Sequence, residues 1–543
     1  MKRVVALAAL CSALTAAPTF AQATGSCGTS NYVGVPIPPD AVDTRLYDVF
    51  GLGPNDVWAV GQSQIDRGNN ERAGLSWALH WDGSSFAQSA TPSPAIPNLQ
   101  PGCSLFAVGG AAPNDVWAAG SYSRQSPTNG HIGPQIFLLH FDGNSWRQVP
   151  EPLPRFSYIA SSSGSHIRRI VAHASNDVWF FGWWSGDELT SAGPLVLHWD
   201  GSSISFRDIG SYLRFGSWSI VDVAALAPGQ YFALASPRTS GYRGGVYPTG
   251  VMQWQGNGWV EMPPPPTATI TYYSFRTIAA SAASDVWVGG IESPLTGNTT
   301  PRPYAVRWDG NTWTRHPTTG FPNKIIANGP NDAWAFGSTI EHWDGVRWNV
   351  VTDYGSDLAS AQSLSAFRLG PCDYWTVGSQ IANNQGLPVL ALAAHLGGPN
   401  EGRAALRLPC TAEKLRHSIL PLNTPRIGRQ VRVMLDDPTR ISGLAGPAAT
   451  AWMLALGPAP GAPCGVVIPG LGANGGVGEL LVDASAVISP TTATWSGPGH
   501  PVQHAFPVPN DAALVGVQLT SQAAFLTGSR VLLTSAIDYT IGN

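Results

Sequence analysis

The chain has 543 residues with a formal charge of -4, 12% charged side chains, 61 glycines, 46 prolines and 21 tryptophans. With 43% of its residues apolar it can fill a core, so low charge with many turn-formers excludes a disordered chain and points to a β protein punctuated by Gly and Pro. The slight negative charge gives no electrostatic ground for nucleic acid or an anionic membrane as partner.

Met1-Lys2-Arg3, the apolar run Val4 to Ala17 and the small residues at Ala21-Gln22-Ala23 have the form of a secretory signal, taken as residues 1–23. The run is too short to span a bilayer and no later stretch reaches ~20 apolar residues, so no transmembrane segment is expected. The reading is a secreted protein, extracellular or at the cell surface, with the periplasm as the alternative compartment. Beyond the signal stand Cys27, Cys103, Cys372, Cys410 and Cys464. An odd number leaves one thiol over after at most two disulfides. No CxxC or Cys/His spacing suggests structural zinc, and no metal ligand or cofactor is assigned.

From residue 24 to 405 one pair of phrases recurs. Asn55-Asp56-Val57-Trp58 leads to His80-Trp81-Asp82-Gly83, and Asn114-Asp115-Val116-Trp117 leads to His140-Phe141-Asp142-Gly143. Asn176-Asp177-Val178-Trp179 leads to His198-Trp199-Asp200-Gly201, and Ser284-Asp285-Val286-Trp287 to Arg307-Trp308-Asp309-Gly310. Asn331-Asp332-Ala333-Trp334 leads to His342-Trp343-Asp344-Gly345. Two worn copies begin at Gln230-Tyr231-Phe232 and Asp373-Tyr374-Trp375. The tryptophan or its substitute thus returns seven times, 41 to 62 residues apart, a period that calls for a propeller or solenoid.

Each unit reads as four short strands. Pro-Asn-Asp turns the first into the second, and Asp-Gly turns the third into the fourth, with Gly taking the positive-φ position. The repeated Trp is expected to pack between neighbouring units, and the repeated Asp and Gly to be scaffold. The histidines at 80, 140, 198, 342 and 395 hold one slot per unit. That spacing is too wide for a shared metal ion, so a histidine hydrogen-bonded between units is expected. The last unit lacks its fourth strand, and Tyr32 to Pro38 resembles the fourth strands elsewhere. The N-terminal segment is therefore expected to close the ring, with Arg403 to Leu408 as the competing strand and Cys27 approaching Cys372 or Cys410.

Units of the form N-D-V-W-A-V-G … H-W-D-G-x-x-W resemble the repeats of secreted bacterial β-propeller proteins of the kelch and galactose-oxidase-like kind. The Asp-Gly turn is loosely similar to the Asp-box of sialidase-type propellers. The resemblance implies a seven-bladed β-propeller. It implies no activity, because propellers host hydrolases, lyases, oxidases, lectins and protein-binding platforms alike.

In such a blade the short repeated turns share one face, while the long dissimilar loops share the other, where binding residues usually sit. The candidate ligand-binding residues on that face are Trp183, Trp184, Asp187, Glu188, Tyr122, Tyr158, Tyr242 and Arg243. Aromatic faces beside such polar groups suit stacking on a sugar ring; the competing reading is that the aromatics anchor their own loops. Asp187-Glu188 is the best acidic pair, but adjacent carboxylates need not flank one glycosidic bond. No catalytic residue is assigned.

Residues 406–543 read as seven or eight strands separated by Pro and Gly, a β-sandwich of jelly-roll or Ig-like kind, in which Cys410 and Cys464 are able to pair. The expectation is an all-β chain, a seven-bladed propeller followed by this accessory domain. Three functions compete: a non-catalytic binder of a glycan or extracellular protein, a carbohydrate-active hydrolase or lyase, and a structural cell-surface protein. Bound Ca2+ is compatible with each, although no EF-hand-like spacing supports it.

Overall fold

The computed structural model describes residues 27, 30–38, 41–66, 72–92, 102–125, 132–150, 166–185, 192–207, 218–237, 250–256, 258–265, 271–294, 300–353, 361–381, 389–398, 401–410, 418–437 and 442–543. Among them the chain is all-β. It contains seven four-stranded antiparallel sheets and, from Arg403 onward, sheets of five, three and two strands. The proposed signal lies outside the described residues. None of the described helices is long and apolar enough to cross a membrane.

The first sheet shows how the repeated letters act. Its strands Ala41–Gly53, Asp56–Asp66, Arg72–Trp81 and Phe86–Ser89 pair in sequence order. Between the last two, Asp82 accepts the backbone N–H groups of Ser84 (2.8 Å) and Ser85 (2.9 Å), and Gly83 sits at φ +90°. Asp142-Gly143, Asp200-Gly201, Asp309-Gly310 and Asp344-Gly345 repeat this turn. An L side chain would be strained at that φ, which is why the letter is Gly.

The other repeated Asp gathers two partners in its own sheet. Asp56 accepts from Trp58 Nε1 at 2.9 Å and meets His80 Nε2 at 2.9 Å. Asp115, Asp177 and Asp332 do the same with Trp117 and His140, Trp179 and His198, and Trp334 and His342. The histidine therefore bonds within its sheet, not between sheets as the sequence suggested. It pairs with the residue directly across the ladder from it, Trp58 opposite His80, and so reaches the local carboxylate first. In the fifth sheet Arg307 replaces histidine and donates to Asp285 at 2.7 Å. The tryptophans do span sheets: Trp117 meets Phe180 at 5.3 Å and Trp199 at 5.4 Å across the next interface.

The first strand of each sheet packs on the first strand of the next, and Ala361–Gly370 of the seventh returns to Ala41–Gly53 of the first. The seventh sheet takes its fourth strand from the N-terminal segment: Ser30–Tyr32 pairs with Val389–Leu396, and Cys27 is bonded to Cys372 across 345 residues. The strand lies slightly earlier than expected, because after Val33 the chain turns away and Gly34 donates to Pro421. The competing strand, Arg403–Arg407, instead pairs with Val531–Thr540. There the five-stranded and three-stranded sheets bury one core, including Trp452, Trp495, Phe525 and Tyr539 with Val431, Val433 and Leu435. A second disulfide joins Cys410 and Cys464, and Cys103 is a buried thiol whose pKa burial pushes up to about 12.

Candidate functional site at the mouth of the sheet ring

Each first strand carries a β-bulge at the same level. At that level the ladder skips Tyr47, Phe106, Arg168, Val221, Arg276, Asn323 and Leu364, one in each sheet, apart from the further register shifts nearer the strand ends. A bulge leaves its extra residue unpaired and re-aims the side chain. The glycine that ends the N-D-V-W-A-V-G phrase makes room for it. A Cβ on Gly61 would lie 1.8 Å from the Arg45 carbonyl oxygen, on Gly120 1.8 Å from that of Ser104, and on Gly337 1.7 Å from that of Phe321. Each such carbonyl belongs to the residue two before the bulge. Only the worn fourth sheet departs, with Ala235 in the glycine's place.

All seven bulge residues line one recess of about 650 Å³. It opens toward the ends of the sheets where the long connections begin, opposite the Asp-Gly turns. Tyr47 and Phe106 form a tilted aromatic pair with centroids 5.2 Å apart, and Phe106 meets His166 at 5.8 Å. The Arg168 guanidinium lies 5.1 Å from the Phe106 ring centre, and Arg276 donates to Asn323 Oδ1 at 2.7 Å.

The residue after each bulge builds the floor. Arg169 donates to Asp48 (3.2 Å) and to Asp222 (3.1 Å), and Lys324 donates to both oxygens of Asp222 (3.2 and 2.9 Å). Asp222 also accepts from Thr277 Oγ1 (3.1 Å) and the N–H groups of Val223 and Ile278 (2.9 and 3.1 Å). Asp48 accepts from Ser365 Oγ (2.6 Å) and the Val108 N–H (3.0 Å). All seven sheets thus contribute side chains or backbone to one network, and Asp48 and Asp222 are 2% and 7% exposed. Burial pushes both carboxyls above the ordinary carboxylate value, while the charge of Arg169 works against that shift. Burial alone would lower the Arg169 pKa, but Asp222 and Asp48 hold it above its usual value. Below the floor lies a smaller space of about 340 Å³ walled chiefly by Val, Ile and Ala.

Of the sequence-derived candidates, Trp183, Trp184 and Tyr122 are described, and none of them is among the described residues lining the recess. Trp183 is 2% exposed and packs against His166, with ring centres 5.7 Å apart, so it backs a recess residue from behind. Tyr122, 8% exposed, packs on Phe137, and Trp184 leans on the third-sheet core. Large aromatic rings at the ends of covered strands fill the space between sheets before they reach solvent. Asp187, Glu188, Tyr158, Tyr242 and Arg243 lie outside the described residues. Sequence reasoning missed the bulge residues altogether, although the repeated glycine marks their level. Among the described residues no group of three or more His, Cys, Asp or Glu is placed to hold a metal ion.

A second recess of about 620 Å³ lies between the turn ends of the first and seventh sheets and the C-terminal residues. Several of its charged groups join the two parts: Glu401 pairs with Arg426 at 2.9 Å and His395 at 3.4 Å, and Arg432 donates to Ser84 and Ser85.

No family model and no curated protein matches the chain. Solved structures similar to it include YCF48 from Cyanidioschyzon merolae, at 13% identity over 68% of this chain and 98% of that one, TM-score 0.37. An ulvan lyase of a polysaccharide lyase family matches at 10% identity over 69% of this chain and 94% of that one, TM-score 0.38. A GH74 xyloglucanase from Xanthomonas campestris matches at 11% identity over 94% of this chain and 99% of that one, TM-score 0.36. No functional reading is drawn from these likenesses.

Proposed function

We propose that the chain is a secreted seven-bladed β-propeller with a C-terminal β-sandwich, and that it binds a glycan or protein ligand without catalysis at the mouth of the ring. The observation that carries this reading is the convergence of seven bulge residues, one from each sheet, on a single recess. Site-building residues placed on a rigid frame at the end where variable loops begin fit a binding role. The two disulfides are in keeping with an oxidising compartment. A hydrolase or lyase would need a carboxyl group able to exchange protons with substrate. Asp48 and Asp222 have raised pKa values but are saturated by Arg169, Lys324, Thr277, Ser365 and backbone donors, which favours a structural floor.

A glycan array and a panel of extracellular proteins, probed with the chain lacking residues 1–23, test the reading when wild type is set beside Val221→Trp. The added indole narrows the recess from Val221, one of the residues that line it. Binding abolished by this variant, with an unchanged melting temperature, is the expected result. Undiminished binding would move the site elsewhere, to the C-terminal part or the second recess.

A further inference from the structure

We infer that two copies of this chain join through the C-terminal hairpin of residues 466–480, by antiparallel pairing of Val466–Pro469 with its equivalent across a twofold axis at Val467. The first ground is an open edge. Val466–Pro469 and Val477–Leu480 form a two-stranded sheet of their own, with Val467 opposite Glu479. Gly470 donates to the Gly476 carbonyl at 2.9 Å, so the residue pair just beyond Pro469 and Val477 is a hydrogen-bonded one. Bonded and non-bonded pairs alternate along an antiparallel ladder, which turns the N–H and C=O of Val467 away from those of Glu479. On its own side Glu479 is met: Gln522 donates to the Glu479 carbonyl at 2.7 Å and accepts from the Leu481 N–H at 2.8 Å. Among the described residues no strand or side chain meets the outward N–H and C=O of Val467.

The second ground is what surrounds that edge. Val466 and Val467 are 44% and 49% exposed, and five of the nine exposed large hydrophobics among the described residues fall between Leu456 and Ile488. Apolar exposure is thus concentrated here and not scattered over the surface. Over residues 456–482 the one charged side chain is Glu479, and it is buried. Natural sheets guard open edges with charged side chains. This chain does so elsewhere, with Arg147, Glu261, Arg315 and Asp353 on outer strands of the ring sheets. The hairpin is also held in place, by the Cys410–Cys464 disulfide, by Arg407 donating to the Pro463 and Leu481 carbonyls (3.3 and 3.0 Å), and by the Leu533 N–H on the Leu471 carbonyl at 3.0 Å. A strand already ordered loses little freedom on pairing.

The third ground fixes the occupant. Another extended backbone supplies both a donor and an acceptor to Val467. With a twofold axis at Val467, each copy's Val467 N–H donates to the other's Val467 carbonyl, Val466 faces Ile468 of the partner subunit, and no like charges meet. Pro469 has no N–H and ends the run. Because Gln522 occupies the far edge of the hairpin, the pairing closes as a dimer and does not propagate. A lipid surface would call for aromatic or basic residues, and residues 456–482 contain no Trp, Tyr, Lys or Arg.

The test is sedimentation velocity of the chain lacking residues 1–23 over a range of concentrations. Wild type is expected to show a reversible monomer–dimer equilibrium. Val467→Lys and Val467→Asp are each expected to weaken it roughly tenfold or more, by setting like charges face to face, with an unchanged far-ultraviolet circular dichroism spectrum. An equimolar mixture of the two variants is expected to recover a dimer, because the axis then brings opposite charges together. Wild type that stays monomeric would overturn the inference, and cosedimentation of that monomer with neutral phosphatidylcholine vesicles would assign the surface to lipid instead. A dimer that both variants leave intact, or a mixture that fails to recover one, would overturn the pairing at Val467.

Discussion

The two ends of the same seven first strands are built on opposite rules. At the turn end most of the sheets repeat the same letters: Asp holds Trp and His, Asp-Gly closes the hairpin, and the enclosed space is walled chiefly by Val, Ile and Ala. At the mouth the backbone repeats just as strictly, with one bulge per sheet, but the side chain it aims inward differs in nearly every one. A repeated backbone that presents unrepeated side chains is a frame for recognition. A repeated backbone that presents repeated side chains is a frame for stability.

The difference is open to breakage, and the largest effect is expected at the floor. Asp222→Ala strands Arg169 and Lys324 without their shared anion, and removing one partner of a buried pair costs about 3–5 kcal/mol. Chemical denaturation should show this as a lowered midpoint with an unchanged slope. Cys372→Ser releases the closure of the seventh sheet; a disulfide spanning 345 residues should contribute roughly 2–5 kcal/mol, read as a fall in melting temperature relative to the wild type under non-reducing conditions. Gly120→Ala forces a Cβ to within 1.8 Å of the Ser104 carbonyl oxygen. It should cost about 1–3 kcal/mol and also disturb the neighbouring bulge at Phe106, so ligand affinity falls with stability. At the turn end Asp115→Asn keeps the Trp117 hydrogen bond but weakens the contact to His140, and about 1 kcal/mol or less is expected, with binding unchanged.

Acid separates the ends by sign. The Asp344 carboxyl is held down to about 2, by the N–H groups of Arg347 and Val346 first, and Asp142 and Asp309 are lowered by the same kind of turn. Stability from such groups is present above the unfolded carboxylate value and is lost as pH falls through the lower folded one. Asp48 and Asp222 are raised by burial, so their contribution is full below the unfolded value and diminishes as pH rises through the folded one. Hydrogen exchange by mass spectrometry, corrected for intrinsic rates, should show the hairpin turns losing protection on acidification before the floor strands do. Simultaneous loss would show that the two ends are one cooperative unit.

Much of the frame was legible in the letters. Asn-Asp and Asp-Gly announced the turns because those residues have few other reasons to recur at fixed spacing, and the missing fourth strand of the last unit pointed to the N-terminal segment. The glycine after Val60 was equally visible, but its reason, the Arg45 carbonyl pressed against it, needs the folded ladder. The site itself was hidden for the reason that makes it a site. Tyr, Phe, Arg, Val, Arg, Asn and Leu share no pattern, and the floor joins Asp48, Arg169, Asp222 and Lys324 across the whole ring. Trp183 and Trp184 drew attention as aromatics next to long loops, yet that composition serves interior packing equally well, and Trp183 is buried behind His166.

The most direct test of the central claim is a hydrogen-exchange footprint, on the signal-free chain, of the glycan or protein that the array and panel identify. Slowed exchange confined to peptides carrying Tyr47, Phe106, Arg168 and Arg276, and absent from the Asp-Gly turns and from residues 403–543, is the result the account predicts. A footprint on the turn end or on the C-terminal sheets, with those four strands unchanged, would contradict it.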